Sequence, residues 1–312
     1  MQVIIITGTL AYDYIMEFPG EFGEHILPEH ASKINLSFIV DKFAKRRGGT
    51  AGNVSYTMGL LKTPHILFSY AGSDFAPYKE AFDALNIDTS KIAIDSDEHT
   101  ATGFAMTDKQ NNQIWGYYYG ASKNIPSLKL KTVATPKDIV LIGPQGTEGS
   151  LGFVKQCMSL KVPYIFDPGF ILTQVTDSDL QLGIEHAMII TANEYEMLLI
   201  KKRIKNYEKI IKNKILITTL GEKGAFITRN AERHEIKPVK VHKVASTTGA
   251  GDAWRGGFLA GYSRGFDLQT SGQMGAVAGA FAVSHYGTQE HNYTLADFQL
   301  LYRQTYNNMI KL

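Results

Sequence analysis

A glycine-rich octet near the carboxyl end of the chain carries the strongest chemical signal in the sequence. It reads Thr247-Thr248-Gly249-Ala250-Gly251-Asp252-Ala253-Trp254, and a helical pattern follows it with an aromatic residue at every fourth position as far as Tyr262. Glycines that open a helix leave backbone N–H groups free for an anion and let a phosphate approach without meeting a Cβ atom. The helix dipole keeps Asp252 ionised, and a carboxylate beside a bound phosphate can take the proton from an attacking hydroxyl. The octet therefore predicts a phosphoryl-transfer centre, and a plain glycine turn with Asp252 as a capping acid is the simpler alternative.

A second glycine cluster lies in the first sixth of the chain. It reads Arg47-Gly48-Gly49-Thr50-Ala51-Gly52-Asn53 and precedes a predicted helix over 54–61. Adjacent glycines let a hydroxylated ligand lie against the backbone, and the amide of Asn53 offers both a donor and an acceptor to a diol. The carboxylate of Asp13 could accept hydrogen bonds from two neighbouring hydroxyls. Taken singly, a helix-start turn and a solvated loop aspartate explain these residues equally well.

Two further segments place polar residues directly after apolar runs. In Asn193-Glu194-Tyr195-Glu196 the first and last residues share a helix face, so they either hold a hydrated Mg²⁺ near phosphates or form an N-cap with an acidic first turn. The segment Thr218-Thr219-Leu220-Gly221-Glu222-Lys223-Gly224 is either a loop that faces a nucleotide or an ordinary hairpin turn.

The elements that must position these residues are short apolar runs alternating with helical patterns. The runs are apolar throughout, which is typical of parallel strands buried on both faces. They cover 3–6, 66–70, 139–142, 164–166, 187–190 and 215–217. Strands that alternate with helices predict a doubly wound α/β fold, in which ligands bind beyond the carboxyl ends of the strands.

Two other segments break this pattern. Residues 34–40 and 100–119 are rich in aromatic and β-branched residues, which predicts a small extra sheet that could act as a lid. We expect 14–40 and 99–120 to form this lid, and 1–13, 41–98 and 121–312 to form the α/β core. The alanine- and glycine-rich segments 250–262 and 272–285 predict two closely packed helices, and a β-like segment over 239–244 precedes them.

Together the motifs resemble the ribokinase family, the phosphofructokinase-B-type kinases of sugars and nucleosides. The order of the motifs matches along nearly the whole chain, and two stretches, 36–41 and 286–290, look most like bacterial adenosine kinase. The matching motifs are Gly8 with Asp13, Gly48 to Asn53, Gly72-Ser73-Asp74, Asn193 to Glu196, Thr219 to Gly224 and Thr248 to Asp252.

This resemblance implies ATP-dependent phosphorylation of a primary hydroxyl, with Mg²⁺, on adenosine or a related nucleoside. A sugar kinase acting on ribose or a hexose is the alternative. The implied catalytic set is Asp252 as base with the amides of Gly249, Ala250 and Gly251 as the anion site. The implied acceptor contacts are Asp13, Ser37, Gly48, Gly49, Asn53 and Tyr117. The implied ATP contacts are Asn193, Thr219, Gly221, Gly224, Thr248 and Gly251, and Glu196 would hold Mg²⁺ through water.

The chain departs from the family pattern at two places. Ser246 stands where the family usually has an aspartate that helps to bind an activating monovalent cation, so we expect weak K⁺ dependence. Many members also carry an asparagine or arginine soon after the Asp-Pro step, whereas Asp167-Pro168 is followed here by Gly-Phe-Ile. That difference removes one candidate contact with substrate or phosphate.

Composition limits the other function classes. The 312 residues include 32 Lys and Arg against 30 Asp and Glu, too balanced to indicate a nucleic-acid or membrane partner by charge alone. The basic segment 201–214 is typical of a solvated helix face, with RNA binding as a rival interpretation. One cysteine, Cys157, and a first apolar run of four residues favour a cytoplasmic protein. A ligand-binding protein that has lost catalysis is a further rival, and a homodimer formed through the lid is a further expectation.

Overall fold

The computed structural model describes residues 3–25, 35–110 and 112–312, and three sheets organise them. The strands are β1 (Ile4–Thr7), β2 (Ala11–Glu17), β3 (Lys42–Gly48), β4 (His65–Leu67), β5 (Ser69–Gly72), β6 (Ile92–Asp95), β7 (Ala101–Thr107), β8 (Gln113–Tyr118), β9 (Ile139–Ile142), β10 (Tyr164–Phe166), β11 (Ile189–Asn193), β12 (Ile215–Thr219), β13 (Ala225–Arg229) and β14 (Glu232–Ile236). The helices are α1 (Thr50–Leu60), α2 (Ala76–Asp83), α3 (Thr147–Leu160), α4 (Asp177–Glu185), α5 (Glu194–Arg203), α6 (Tyr207–Ile211), α7 (Ala250–Ser263), α8 (Leu268–Val283) and α9 (Leu295–Tyr306).

The largest sheet has eight strands in the order β14-β13-β12-β11-β10-β9-β1-β4. The six strands from β12 to β4 are parallel, and β13 and β14 extend the sheet as an antiparallel edge. Chain order reverses at β1, because β4 lies on one side of it and β9 on the other. Ligands of open parallel sheets bind at the carboxyl edge beside such a reversal, so the fold places the candidate site near the ends of β1 and β9.

Both faces of this sheet are buried. In β1, Ile4 and Ile6 join one apolar cluster with α1, α7, α8 and α9, and Ile5 joins the opposite cluster with α3 and α4. Alternate side chains of a strand point to opposite faces, so a strand that is apolar at every position is stable only between two layers of helices. The predicted doubly wound α/β fold is confirmed.

Close contact between α7 and α8 depends on glycine. A Cβ atom added at Gly257 would lie 2.5 Å from the carbonyl oxygen of Met274, and one at Gly275 would lie 2.8 Å from the Trp254 ring. Both distances are shorter than real contacts, so these positions accept no side chain without displacing a helix. The predicted closely packed pair is confirmed, and α7 has the aromatic row that the spacing indicated, with Phe258 stacked between Trp254 and Tyr262.

A second, four-stranded sheet has the order β3-β2-β7-β8. Strand β2 follows β1 after three residues, and β3 ends at the glycines that lead into α1, so this sheet is joined to the core at its carboxyl edge. Its register aligns Arg46, Asp13, Gly103 and Tyr117 in one row across the four strands. These four residues therefore lie on the same face of the second sheet as the side chain of Asp13.

Several sequence-based boundaries differ from the structure. Residues 35–40 are irregular, and the strand of the second sheet that follows them is β3, whereas residue 34 lies outside the described segments. Residues 239–244 form no strand, because this stretch is an irregular connection held by a bond from Ala245 N to Val283 O. The run 66–70 splits between β4 and β5, which belong to different sheets, and 11–13 and 42–48 pair in the second sheet although we assigned them to the core. The division into core and lid stays a proposal.

Candidate active site

Asp252 lies in the first turn of α7 and begins a chain of hydrogen bonds that crosses the site. Asn53 Nδ2 donates to Asp252 Oδ2 at 2.8 Å, and Gln289 Nε2 donates to Asn53 Oδ1 at 2.9 Å. Gln289 Nε2 also lies 2.6 Å from the Tyr78 hydroxyl, which donates to the carbonyl oxygen of Gly48 at 2.8 Å. The candidate base and the glycine cluster are thus joined through buried side chains, and one oxygen of Asp252 stays directed away from the network.

Two carboxyl groups in the site have raised pKa values. Burial raises the pKa of Asp13 to about 6, and the carboxylate of Asp252 adds to the shift. Burial also raises the pKa of Asp252, as does Glu196, while Arg255 and the bond from Asn53 act in the opposite direction. A base with a pKa nearer to neutral takes a proton more readily than a solvated aspartate does. The two carboxyl groups therefore lie near enough for the charge of Asp252 to raise the pKa of Asp13.

The start of α7 has the geometry of an anion site. Gly249 caps the helix at φ 79°, and a Cβ atom there would lie 2.6 Å from Thr288 Cγ2, so only glycine fits. The N–H groups of Gly251 and Asp252, in the first turn, have no carbonyl four residues earlier within the helix. These amides and the helix dipole favour a negatively charged oxygen beside Asp252.

Arg255 and Asp167 form a buried ion pair that the sequence did not reveal. Nη2 of Arg255 donates to Asp167 Oδ1 at 3.0 Å, and Nε lies 2.7 Å from Oδ2 with its N–H directed off the oxygen. Nη1 lies 3.5 Å from Asp252 Oδ1. Burial raises the pKa of Asp167 to about 7 although Arg255 opposes the shift, and the pKa of Arg255 is raised because Asp167 and Asp252 outweigh its burial. The sequence shows no arginine beside Asp167-Pro168, but α7 brings one to Asp167.

The candidate nucleotide side lies farther along the same edge of the sheet. Asn193 and Thr219 are paired at the ends of β11 and β12. Asn193 and Glu196 form a capping box, with both bonds at 2.8 Å, so these residues cap α5, and a contact of Glu196 with Mg²⁺ stays a prediction. Gly221 is exposed at the turn after β12 with open space beside its Cα, whereas Gly224 closes the turn because a Cβ atom would collide with Ile236.

Magnesium would have few direct protein ligands here. Within 3–25, 35–110 and 112–312 no group of three His, Cys, Asp or Glu side chains is arranged to hold a metal ion. Asp167 is engaged by Arg255, and one oxygen of Glu196 caps α5. Mg²⁺ in phosphoryl-transfer sites usually keeps several waters and binds mainly to substrate phosphates. Glu196 fits a contact of this kind through water.

The second sheet presents two aromatic side chains, Trp115 and Tyr117, on the face of Asp13. A Cβ atom at Gly103 would lie 2.7 Å from Asp13 Oδ1, 3.1 Å from the Trp115 ring and 3.5 Å from the Tyr117 ring. Trp115 and Tyr117 stack with ring centroids 5.4 Å apart, and Tyr117 is 72% exposed. The missing side chain at Gly103 leaves a concave surface between a carboxylate and two parallel rings.

Two other aromatic residues of the segments 34–40 and 100–119, and two of the implied contact residues, lie elsewhere. Phe104 stacks on Tyr14 on the opposite face of the sheet, and Phe38 packs against Phe18 and Phe22. Ser37 is exposed in the irregular segment 35–41, and Thr248 is exposed before α7.

Comparison with known proteins decides the family. The model of the pfkB family of carbohydrate kinases matches residues 21–295. The chain belongs to this family. The chain is similar to a nucleoside kinase of Methanocaldococcus jannaschii, with 32% identity over 295 residues that cover 93% of both chains. It is also similar to the structure of Burkholderia thailandensis nucleoside kinase in complex with inosine, with a TM-score of 0.89, 30% identity, and coverage of 99% of this chain and all of the other. The crystal structure of the M. jannaschii nucleoside kinase, described as an archaeal member of the ribokinase family, has a TM-score of 0.86 at 29% identity and covers 97% of this chain and 99% of the other.

Membership of the pfkB family confirms that the chain is a kinase phosphotransferase with the ribokinase-like fold. In this pfkB-family kinase the residues missed by sequence reasoning are Arg255, Gln289 and Tyr78. Arg255 could have been found from the sequence, because it follows Asp252 by three positions in a predicted helix and therefore lies on the same helix face. Gln289 lies in the stretch 286–290 that carries part of the resemblance, but no role was assigned to it, and it reaches Asn53 across 236 positions. Tyr78 had no signal in the sequence and reaches Gly48 across 30 positions. No helix in the described segments is long and apolar enough to cross a membrane.

Proposed function

We propose that this kinase transfers the γ-phosphoryl group of ATP to the primary hydroxyl of a nucleoside, with adenosine as the expected acceptor. The observation that carries the proposal is the concave face at Gly103, where Asp13 lies beside the stacked rings of Trp115 and Tyr117. A ribose diol fits the carboxylate, and a purine fits the exposed aromatic surface. A free sugar is polar on every edge and would leave this surface unfilled. The similarity to nucleoside kinases, one of them in complex with inosine, supports the same class of acceptor.

Each group in the site has a proposed role. Asp252 removes the proton from the acceptor hydroxyl, and its bond to Asn53 holds the carboxylate in place. Asn53 and Asp13 hold the ribose, with Gly48 and Gly49 allowing close approach to the backbone. The glycine turn Gly249-Ala250-Gly251 would bind the transferring phosphoryl group, chiefly through the amides of Gly251 and Asp252, since the amide of Ala250 already donates to Thr247 O at 3.3 Å. Phosphoryl transfer needs positioning and charge stabilisation more than covalent chemistry from the protein, and these groups supply both.

ATP would lie along the edge formed by Asn193 and Thr219, with Gly221, Gly224 and Thr248 beside it. Mg²⁺ would bind the phosphates and reach Glu196 through water. The hydroxyl of Ser246 accepts a bond from Thr248 N at 3.2 Å, so it is partly used within the loop. A neutral hydroxyl is a weaker ligand for a hard cation than a carboxylate is. We therefore expect similar rates in potassium salts and in salts of a bulky organic cation at equal ionic strength.

The experiment that tests the acceptor is an ADP-release assay with adenosine, inosine, cytidine, ribose and fructose. We expect a kcat/KM for adenosine at least about tenfold above that for ribose, since stacking on one aromatic ring contributes roughly 1–3 kcal/mol. If a second nucleoside had the same kcat/KM as adenosine, the acceptor would still be a nucleoside, and the enzyme would have a broader specificity than proposed. Equal or better turnover of ribose or a hexose would replace the nucleoside by a sugar, which is the alternative.

The homodimer formed through the lid stays a prediction. The face of the second sheet opposite Asp13 carries Tyr14, Phe43, Phe104 and Ile114, of which Phe43 is 63% exposed. A second copy of this face would cover these rings. Sedimentation analysis of the wild type and of Phe43→Glu checks this: a dimer that Phe43→Glu dissociates is expected, and a monomeric wild type at micromolar concentration would contradict it.

A further inference from the structure

We propose that Arg255 contacts the γ-phosphoryl group during transfer and stabilises the negative charge of its transition state. The inference depends on the proposed role of Asp252 and adds a catalytic residue to it. The oxygen of the acceptor hydroxyl forms a bond to phosphorus, the bond from phosphorus to the oxygen that bridges to the β-phosphate breaks, and the hydroxyl proton passes to Asp252. The leaving ADP and the three oxygens of the moving group carry the negative charge that a cation must face.

The position of the guanidinium group carries the argument. A Cβ atom placed on Gly251 would lie 2.8 Å from Nη1 of Arg255. Nη1 therefore lies directly against the second glycine of the anion site, and it is 3.5 Å from the carboxylate that serves as base. A phosphoryl group bound to the amides of Gly251 and Asp252 would lie within reach of this nitrogen.

The hydrogen-bond pattern leaves this end of the guanidinium group available. Nη2 donates to Asp167 Oδ1, Nε lies 2.7 Å from Asp167 Oδ2 as an ionic contact, and Asp167 is buried, with 1% of its side chain exposed. Nη1 has a contact of 3.5 Å with Asp252, which is at the outer limit of a hydrogen bond. An arginine side chain has five N–H donors in a fixed planar arrangement that suits phosphate oxygens. Asp167 thus acts as a positioning residue: it holds the Nε and Nη2 side of the guanidinium group through one hydrogen bond and one ionic contact, and Nη1 lies on the side of the anion site.

A purely structural role for Arg255 agrees less well with its contacts than a role in binding phosphate does. The side chain of Arg255 is 15% exposed, so the core does not enclose it completely. A buried arginine that only stabilises the fold would have its donors satisfied by protein acceptors. Arg264, at the other end of α7, is such a residue: it donates to Thr63 Oγ1 and to the carbonyl oxygens of Ala260 and Leu61. It is therefore a matched control on the same helix.

The test compares Arg255→Gln, Arg255→Lys and Arg264→Gln with the wild type, using ADP release for kcat and calorimetry for the Kd of the acceptor. For Arg255→Gln we expect kcat to fall by at least about 100-fold, as for loss of one preorganised donor to a transition-state anion. The Kd of the acceptor should change by less than about threefold, and Arg255→Lys should recover only part of the rate because its ammonium group cannot reach both Asp167 and phosphate. Arg264→Gln should lower the thermal midpoint without a selective loss of kcat.

Chemical rescue keeps the test informative where a variant folds poorly. In Arg255→Ala, added guanidinium chloride at concentrations below those that unfold the protein should restore kcat at least about tenfold over an equal concentration of sodium chloride, because guanidinium ion replaces the missing donor. A kcat for Arg255→Gln within threefold of the wild type would overturn the proposal. The proposal would also be overturned if the Arg255 variants lost activity only in proportion to a weaker Kd for the acceptor and guanidinium did not restore kcat.

The acceptor used is whichever compound the wild type phosphorylates fastest. If the wild type ignores nucleosides and phosphorylates a sugar, the proposed acceptor is wrong, whereas the comparison of Arg255 variants on that sugar still decides the role of the arginine.

Discussion

Replacement of Asp13 by asparagine should make the unliganded protein more stable and less active. Burial and the nearby carboxylate of Asp252 raise the pKa of Asp13 from 3.8 to about 6. The folded state therefore binds a proton more tightly than the unfolded chain does, so stability is lost as the pH rises from about 4 to about 6. A shift of roughly two units corresponds to about 3 kcal/mol at 1.36 kcal/mol per unit, and this penalty is present in full at pH 7.

Asparagine has nearly the same shape and no charge, so Asp13→Asn should raise the free energy of unfolding by about 1–3 kcal/mol at pH 7. Urea denaturation of the unliganded protein at pH 7 and pH 4 measures this, and the gain should nearly vanish at pH 4, where the wild-type carboxyl is protonated in the folded state. Asp41→Asn, at an exposed position, is the control and should change stability by less than about 0.5 kcal/mol. A variant that is no more stable than the wild type at pH 7, or equally stabilised at both pH values, would refute the reasoning. Activity should fall, because an amide accepts fewer hydrogen bonds from a diol than a carboxylate does.

Three other outcomes follow from the same geometry. Asp252→Asn should lower kcat at least about 100-fold with little change in KM for ATP, because general-base catalysis is lost while the amides remain; near-normal turnover would show that another group is the base. Tyr117→Ala should raise KM for a nucleoside by roughly 10- to 100-fold and that for ribose hardly at all, whereas Phe104→Ala, on the opposite face, should change neither. Gly275→Ala should lower the thermal midpoint because the methyl group would press on the facing indole ring, whereas Gly152→Ala, with open space beside it, should raise stability by up to about 1 kcal/mol.

Local patterns predicted the core of the fold because its strands are buried on both faces. A run such as 139–142 has apolar residues at every position, and no other arrangement of an α/β chain hides them all. The segment 34–40 misled the prediction because aromatic residues there pack into a local cluster around Phe18 and Phe22 rather than into a sheet. The strand that joins the second sheet here, β3, reads Lys-Phe-Ala-Lys-Arg-Arg-Gly and is too basic to be recognised by composition.

In the candidate site, the sequence indicated the residues that lie within recognisable motifs and missed those that join motifs. Asp252 and Asn53 were each identified separately, but their bond spans 199 positions and depends on how α1 packs on α7. The ion pair between Asp167 and Arg255 spans 88 positions and has no local pattern. Contacts between residues this far apart in sequence are set by tertiary packing. The periodicity and spacing of residues along the chain carry no information about them.

Helices α1 and α7, which carry Asn53 and Asp252, are joined by hydrogen bonds at both of their ends. Their first turns share the bond between these two side chains, and Arg264 ties the last turn of α7 to the carbonyl oxygen of Leu61 at the end of α1. The residue proposed to distinguish acceptors by their base, Tyr117, is on a separate sheet. Substitutions at Tyr117 can therefore alter which acceptor is chosen while the phosphoryl-transfer apparatus stays intact, so that new substrate preferences are open to evolution or to engineering at small cost to the chemistry.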